Sequence, residues 1–221
     1  LGFLSARRGT LIEHAADKIR SNGGTALALV MDVTDERAVA NAFSTAESQL
    51  GTINVVVNNA GIVIAEAAVD IDQSQWERVV DTNLKGVWLV SREAGRRLAR
   101  SKCGGSLINV ASILGLRVAK GVSSYAISKA GVIQMTRALS LEWARYQIRV
   151  NAIAPGYILT DFNREFFDSG AGDDTIARIP QRRIGATSDL DGAIVLLASE
   201  ASAYMTGSVI VVAGGHLNST L

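Results

Sequence analysis

Ser106-Leu-Ile-Asn-Val110, the helix-length segment 122–145, and Ile148-Arg-Val-Asn-Ala-Ile153 together decide the fold of this chain. Two short runs of aliphatic and β-branched residues on either side of a long segment read as strand, helix, strand. A crossover of that length joins parallel strands, and strands that are apolar without alternation indicate a sheet covered on both faces. The alternation continues outward. Residues 2–6, 26–31, 53–57 and 208–212 form further strand-like runs. Thr10-Leu-Ile-Glu13 has the pattern of a helix capping box, and Gly23-Gly24 is the matching stop. A second helix is expected from about Asp35 to Leu50, one or two over 74–101, and a last one over 189–199. The reading is an α/β protein: one domain over 1–221, built as a doubly wound parallel sheet with right-handed crossovers. One long irregular segment, 157–187, carries Phe162, Phe166, Phe167 and Gly170-Ala-Gly172. It reads as a substrate lid or binding loop, or as a short helix pair that only packs.

Composition narrows the function. The 221 residues are 48% hydrophobic, with 22 basic and 21 acidic side chains and a net charge of +1. Charge so evenly spread offers no basic stripe to nucleic acid or to an anionic membrane. The single Cys103 rules out an internal disulfide framework and suits a reducing, cytoplasmic setting. Two distant histidines, His14 and His216, do not make a metal site, so no metal is expected. The apolar runs are strand-length, and none is long enough to span a bilayer.

Tyr125 and Lys129 lie four residues apart on the long helical segment and therefore share a face. A free phenol has a pKa near 10 and is a poor base at neutrality. An ammonium roughly 4 Å away, at an effective dielectric of about 20, favours the phenolate by at most about 4 kcal/mol. That suffices for general acid/base work. A Tyr-x-x-x-Lys match arises by chance in about one chain in ten, so the pair gains weight only with Ser112, thirteen residues upstream of Tyr125.

Further segments fall into a recognisable order. They are Asp32-Val33, Asn58-Asn-Ala-Gly61, Asn83 within Asp81-Thr-Asn-Leu-Lys-Gly86, Asn109-Val-Ala-Ser112, Tyr125-Ala-Ile-Ser-Lys129, Asn151-Ala-Ile-Ala-Pro-Gly156 and Gly207-Ser-Val-Ile-Val-Val-Ala-Gly-Gly215. In this order and spacing the chain resembles the short-chain dehydrogenase/reductase family over nearly its whole length. The resemblance implies a Rossmann-like fold and hydride transfer between a nicotinamide cofactor and a secondary alcohol or ketone. It assigns Tyr125 as general acid/base, Lys129 to lower the tyrosine pKa and hold the nicotinamide ribose, and Ser112 to bind the substrate oxygen. Asn83 would hold a water that relays protons from Lys129. Asp32 and Val33 would meet the adenine, with Asp32 or Thr34 as alternative helix caps. Asn59, Ala60 and Gly61 would lie along the adenosine ribose, and Pro155, Gly156, Ile158 and Thr160 near the nicotinamide.

Cofactor choice turns on the end of the first strand. An acidic residue there would accept from the ribose hydroxyls of NAD and repel a 2′-phosphate. The chain instead has Ala6 followed by Arg7 and Arg8, and guanidinium groups match phosphate oxygens, which favours NADP over NAD. The glycine-rich phosphate loop of the family is not found. The chain opens on what would be the second strand, so the first βα unit is expected to be missing by truncation. The alternative is a dinucleotide-binding or scaffolding homologue that lost its phosphate loop and its catalysis. Arg117, Arg164, Arg182 and Arg183 could meet a substrate carboxylate or phosphate, or could be surface charges. A sugar acid and a 3-oxoacyl thioester both remain open as substrates. The two long helical segments are, by resemblance, where a homo-oligomer (a dimer or a tetramer) would form.

Overall fold

The computed structural model of the protein describes residues 2–160, 163–169 and 172–219. Six parallel strands alternate with helices: β1 (Gly2–Ala6), α1 (Gly9–Ser21), β2 (Ala26–Val30), α2 (Glu36–Leu50) and β3 (Val55–Asn58). There follow α3 (Gln73–Val80), α4 (Gly86–Ser101), β4 (Gly105–Val110), α5 (Ser123–Trp143) and β5 (Ile148–Pro155). The segment 157–187 holds α6 (Arg164–Asp168) and α7 (Asp173–Arg178), before α8 (Asp191–Ala198) and β6 (Val209–Val212). Residues 157–187 are thus not irregular throughout: they contain a pair of short helices.

The strands form two sheets. β1 and β2 pair with each other, and β3-β4-β5-β6 make a four-stranded parallel sheet in which Asn58 lies opposite Asn109 and Ile108 opposite Asn151. Helix α2 joins the two. Its Phe43 meets Phe3 of β1 edge-on at 5.8 Å and packs in one core with Met31, Val56, Val90, Leu98, Leu107 and Val150. Arg97 of α4 reaches Glu47 of α2 at 2.5 Å and Glu93 at 2.6 Å, which ties the same two helices at their rim. β4 and β5 are covered on both sides, by α4 and α5 around Val87, Val132 and Ile133, and by α8 around Ile108, Ile153 and Leu197. Each such fully buried aliphatic side chain contributes about 1.5–3 kcal/mol.

Three local expectations are corrected. The Thr10 capping box does not form. Only two residues separate β1 from α1, so the helix starts at Gly9 with Arg8 at its cap and Thr10 already inside. The second helix is capped neither by Thr34 nor by Asp32. Asp35 accepts from the backbone of Arg37 and Ala38 at 2.8 and 3.1 Å. Coverage of both sheet faces fails at β3, where Val56 and Asn58 are buried but Val55 and Val57 are exposed. No helix among the described residues is long and apolar enough to cross a membrane.

Candidate active site

The carboxyl ends of β3, β4 and β5 converge, which is where open α/β sheets bind ligands. A buried polar chain ties the ends of β3 and β4 together and to the helices beside them. The Asn58 amide donates to Asn109 Oδ1 at 2.8 Å and Ser91 Oγ at 2.9 Å, while the Asn109 amide donates to Thr136 Oγ1 at 2.9 Å. These bonds link β3, β4, α4 and α5. In the sequence Asn109 lies inside an apolar run and Asn58 directly after one, and the bond between them was not read from it.

Ser112 follows β4, and its hydroxyl accepts from Leu114 N at 3.1 Å, capping the 3-10 turn Ile113–Gly115. That turn packs directly on α5: a Cβ at Gly115 would lie 2.8 Å from the Lys129 carbonyl. Tyr125 and Lys129 stand in the first two turns of α5. Lys129 is almost fully buried. Its Nζ donates to the Val110 carbonyl at 2.8 Å and lies 5.6 Å from the centroid of the Tyr125 ring.

The electrostatics differ from the simple pairing of phenol and ammonium. Burial pushes the Tyr125 phenol above its ordinary pKa, and the Ser112 side chain pulls it part of the way back. Burial lowers the Lys129 ammonium to about 8. The Lys129 ammonium donates to a carbonyl at the end of β4, while the side chain that bonds the phenol is that of Ser112. Desolvation is the larger influence on both groups.

Asn83 is fully buried in a π-helical turn, Asp81–Lys85, between α3 and α4. Such turns recur at functional sites. Its Oδ1 accepts from Ile62 N at 2.8 Å, and its amide donates to Ile62 O at 2.8 Å and Ser128 Oγ at 3.1 Å. Both amide hydrogens are used, which leaves one lone pair of Oδ1 for a water. Ile62 and Ser128 were not singled out in the sequence, although Ser128 lies inside Tyr125-Ala-Ile-Ser-Lys129.

Gly61 closes the constellation. A Cβ there would come within 3.4 Å of Asn83 Oδ1 and 3.5 Å of Lys129 Nζ. Asn59, Ala60 and Gly61 are exposed at the end of β3. Asp32 is held in a turn by Thr34 N and Oγ1 at 2.9 and 2.8 Å, both bonding Oδ1. These bonds and the positive charge of Arg7 keep its carboxyl below the usual range. Arg7 and Arg8 are exposed beside it. Val33 lies against α4, where a Cβ at Gly86 would fall 2.6 Å from Val33 Cγ2. Pro155 ends β5, and Gly156 N donates to Val212 O at 2.9 Å. Ile158 bridges to Gly185, and Thr160 N donates to Asn163 Oδ1 at 2.8 Å. Asn163, absent from the sequence reading, also donates to the Ile158 carbonyl at 2.9 Å and so ties together the chain that leaves β5.

Within 157–187, Phe167 meets Tyr157 edge-on at 6.0 Å. Phe162, Gly170 and Ala171 lie outside the described residues, as does the side chain of Phe166. No cluster of His, Cys, Asp or Glu among the described residues could hold a metal ion.

The profile of a family described as enoyl-(acyl carrier protein) reductase matches residues 3–216. The 2-dehydro-3-deoxy-D-gluconate 5-dehydrogenase of Dickeya dadantii is 37% identical over 93% of this chain and 81% of its own length. The 3-oxoacyl-(acyl-carrier-protein) reductase of Staphylococcus aureus is 34% identical over 92% of this chain and 82% of its own. Among solved structures, a gluconate 5-dehydrogenase from Burkholderia cenocepacia in complex with NADP and tartrate superposes with a TM-score of 0.93. It is 30% identical, over 99% of this chain and 86% of that one. A short-chain type dehydrogenase/reductase from Mycobacterium marinum gives 0.91 at 37% identity, over 97% and 84%. Likeness of sequence and backbone over this much of the chain leaves one assignment: it belongs to the short-chain dehydrogenase/reductase family of oxidoreductase enzymes.

Proposed function

We propose that this chain is an NADP(H)-dependent oxidoreductase that interconverts a secondary alcohol and a ketone, with Tyr125 as the general acid/base. The observation that carries the reading is the convergence of Asn83 and Lys129 on Gly61, with Ser112 and Tyr125 alongside at the ends of the strands. The residues present fit the adenosine and nicotinamide-ribose portions of such a cofactor. Gly61 leaves room beside Lys129, one Asp32 oxygen remains unbonded, and Arg7 and Arg8 suit a 2′-phosphate. The remaining candidate contacts are Val33, Asn59, Ala60, Pro155, Gly156, Ile158 and Thr160. When bound, the cofactor supplies or removes the hydride.

In the reducing direction Tyr125, protonated at neutral pH, gives its proton to the carbonyl oxygen while Ser112 donates to the same oxygen. The resulting phenolate is stabilised by Lys129 and reprotonated from solvent, with Lys129 and an Asn83-held water as the relay. The oxidising direction reverses these transfers. A hydroxy or oxo acid is the substrate class we favour, because the relatives include gluconate dehydrogenases and one neighbour holds tartrate. Exposed Trp88 on α4 and Ile127 and Leu141 on α5 support a homo-oligomer. Tyr125→Phe tests the chemistry. Turnover of 5-keto-D-gluconate with NADPH should fall about 10²–10⁴-fold, with NADPH binding retained; turnover at the parent rate would remove Tyr125 from its role.

A further inference from the structure

We infer that Arg117, held in place by the His216 carbonyl, receives the carboxylate of the substrate and makes the enzyme selective for hydroxy and oxo acids. The inference rests on the oxidoreductase reading above and adds the residue that chooses the substrate.

Arg117 lies five residues beyond Ser112, on the chain that leaves the turn Ile113–Gly115, and its own N–H donates to Ile113 O at 2.9 Å. Its guanidinium is therefore anchored close in sequence to the hydroxyl proposed to hold the reacting oxygen. One nitrogen, Nη1, is committed to His216 O at 2.5 Å, ninety-nine residues away. A guanidinium carries five N–H donors, so a forked edge remains that matches the two oxygens of a carboxylate.

The surroundings lack the anion that such a group calls for. Arg117 is half-buried, and no carboxylate among the described residues pairs with it or with the exposed Arg178. His216 beneath them is buried and stacks on Tyr157, the residue after Pro155-Gly156, at 5.6 Å. Its Nδ1 has no partner. Burial, together with the charges of Arg117 and Arg178, keeps this imidazole below its ordinary pKa. A partly desolvated cation with no counter-ion costs stability until an anion arrives.

Two other arginines of the region have partners. Arg183 binds Asp189 through two nitrogens at 2.6 and 3.0 Å, and Arg182 donates to the Ala177 carbonyl. Of the arginines that the sequence offered for an acidic substrate, Arg117 is the one that follows Ser112 by five residues, and one bond to a carbonyl leaves its other donors uncommitted.

The test compares 5-keto-D-gluconate with its primary amide, using the full chain and NADPH. The parent should prefer the acid, and Arg117→Met should reduce the ratio of kcat/KM, acid over amide, by about 10–100-fold, mainly through KM. Arg117→Gln keeps a donor for His216 O, so it covers the case in which the methionine variant does not fold; it should lose the same preference. Exposed Arg178→Gln should lower the ratio by a few-fold. A ratio equal in parent and both Arg117 variants, or a parent that prefers the amide or an uncharged 3-oxoacyl thioester, overturns the inference while leaving the oxidoreductase reading intact. If no oxo compound is turned over, the oxidoreductase reading fails. Calorimetric titration with D-gluconate then decides the inference separately: saturable binding lost in Arg117→Gln upholds it, and binding absent or unchanged overturns it.

Discussion

Lys129→Met removes a buried charge, and the pH dependence of its effect on stability is a direct measure of how strongly the site strains that charge. Burial lowers the Lys129 pKa from 10.5 in the open chain to about 8 in the folded protein. Below pH 8 the lysine is charged in both states, and the folded state bears the full desolvation cost. Between pH 8 and 10.5 the unfolded chain holds the proton while the folded protein has released it, so stability rises with pH through this window. The total is a shift of about 2.5 pKa units at 1.36 kcal/mol each, or about 3.4 kcal/mol. Between pH 7 and pH 10 the parent should therefore gain about 2.5 kcal/mol relative to the methionine variant. The bond from Nζ to Val110 O is lost in the variant at every pH. It displaces the whole curve without changing the slope. Urea unfolding of both proteins at pH 7, 8, 9 and 10 gives the difference. At pH 7 the two should be close in stability or the variant higher; at pH 10 the parent should have drawn ahead. A difference independent of pH would mean that Lys129 titrates near its ordinary value, and the account of a desolvated ammonium would fail.

Gly86→Ala places a methyl 2.6 Å from Val33 Cγ2; overpacking of this kind should cost about 1–3 kcal/mol in thermal or urea unfolding, and a neutral result would mean that Val33 can move aside. Replacing Arg7 and Arg8 together by Asp and Ala should reverse the preference between NADPH and NADH in steady-state kinetics, through KM for the dinucleotide; an unchanged ratio would remove both arginines from cofactor choice. Asn83→Ala frees Ile62 and Ser128. It should lower kcat about 10-fold or more and increase the response of kcat to added small amines or buffers that act as proton donors; a kcat within two-fold of the parent would exclude the relay.

Much of the fold was legible because it repeats locally. All six apolar runs became strands within two or three residues of their expected ends, since hydrophobic runs and glycine stops act over a few neighbours. The errors arose where a third party intervened. Thr10 has the right neighbours for a cap, but the short connection from β1 starts the helix before it. The segment 74–101 reads as one helix or two, and nothing local shows the extra residue per turn at Asp81–Lys85 that turns Asn83 inward to bond Ile62, twenty-one residues back. β3 looks like its neighbours in composition, but its burial depends on what covers each face, and one face carries exposed Val55 and Val57.

The sequence by itself determined that the chain is a parallel α/β protein, and that Ser112, Tyr125, Lys129 and Asn83 follow one another in a family's order. Both readings rest on spacing along the chain, which a sequence states outright. Only the tertiary structure decided how those groups are poised. It turned the Lys129 ammonium to the Val110 carbonyl, let burial raise the Tyr125 pKa, and brought Arg117 to the carbonyl of His216 ninety-nine residues away. Desolvation and unpaired charge depend on everything packed around a group, and those neighbours come from distant parts of the chain that no local pattern connects.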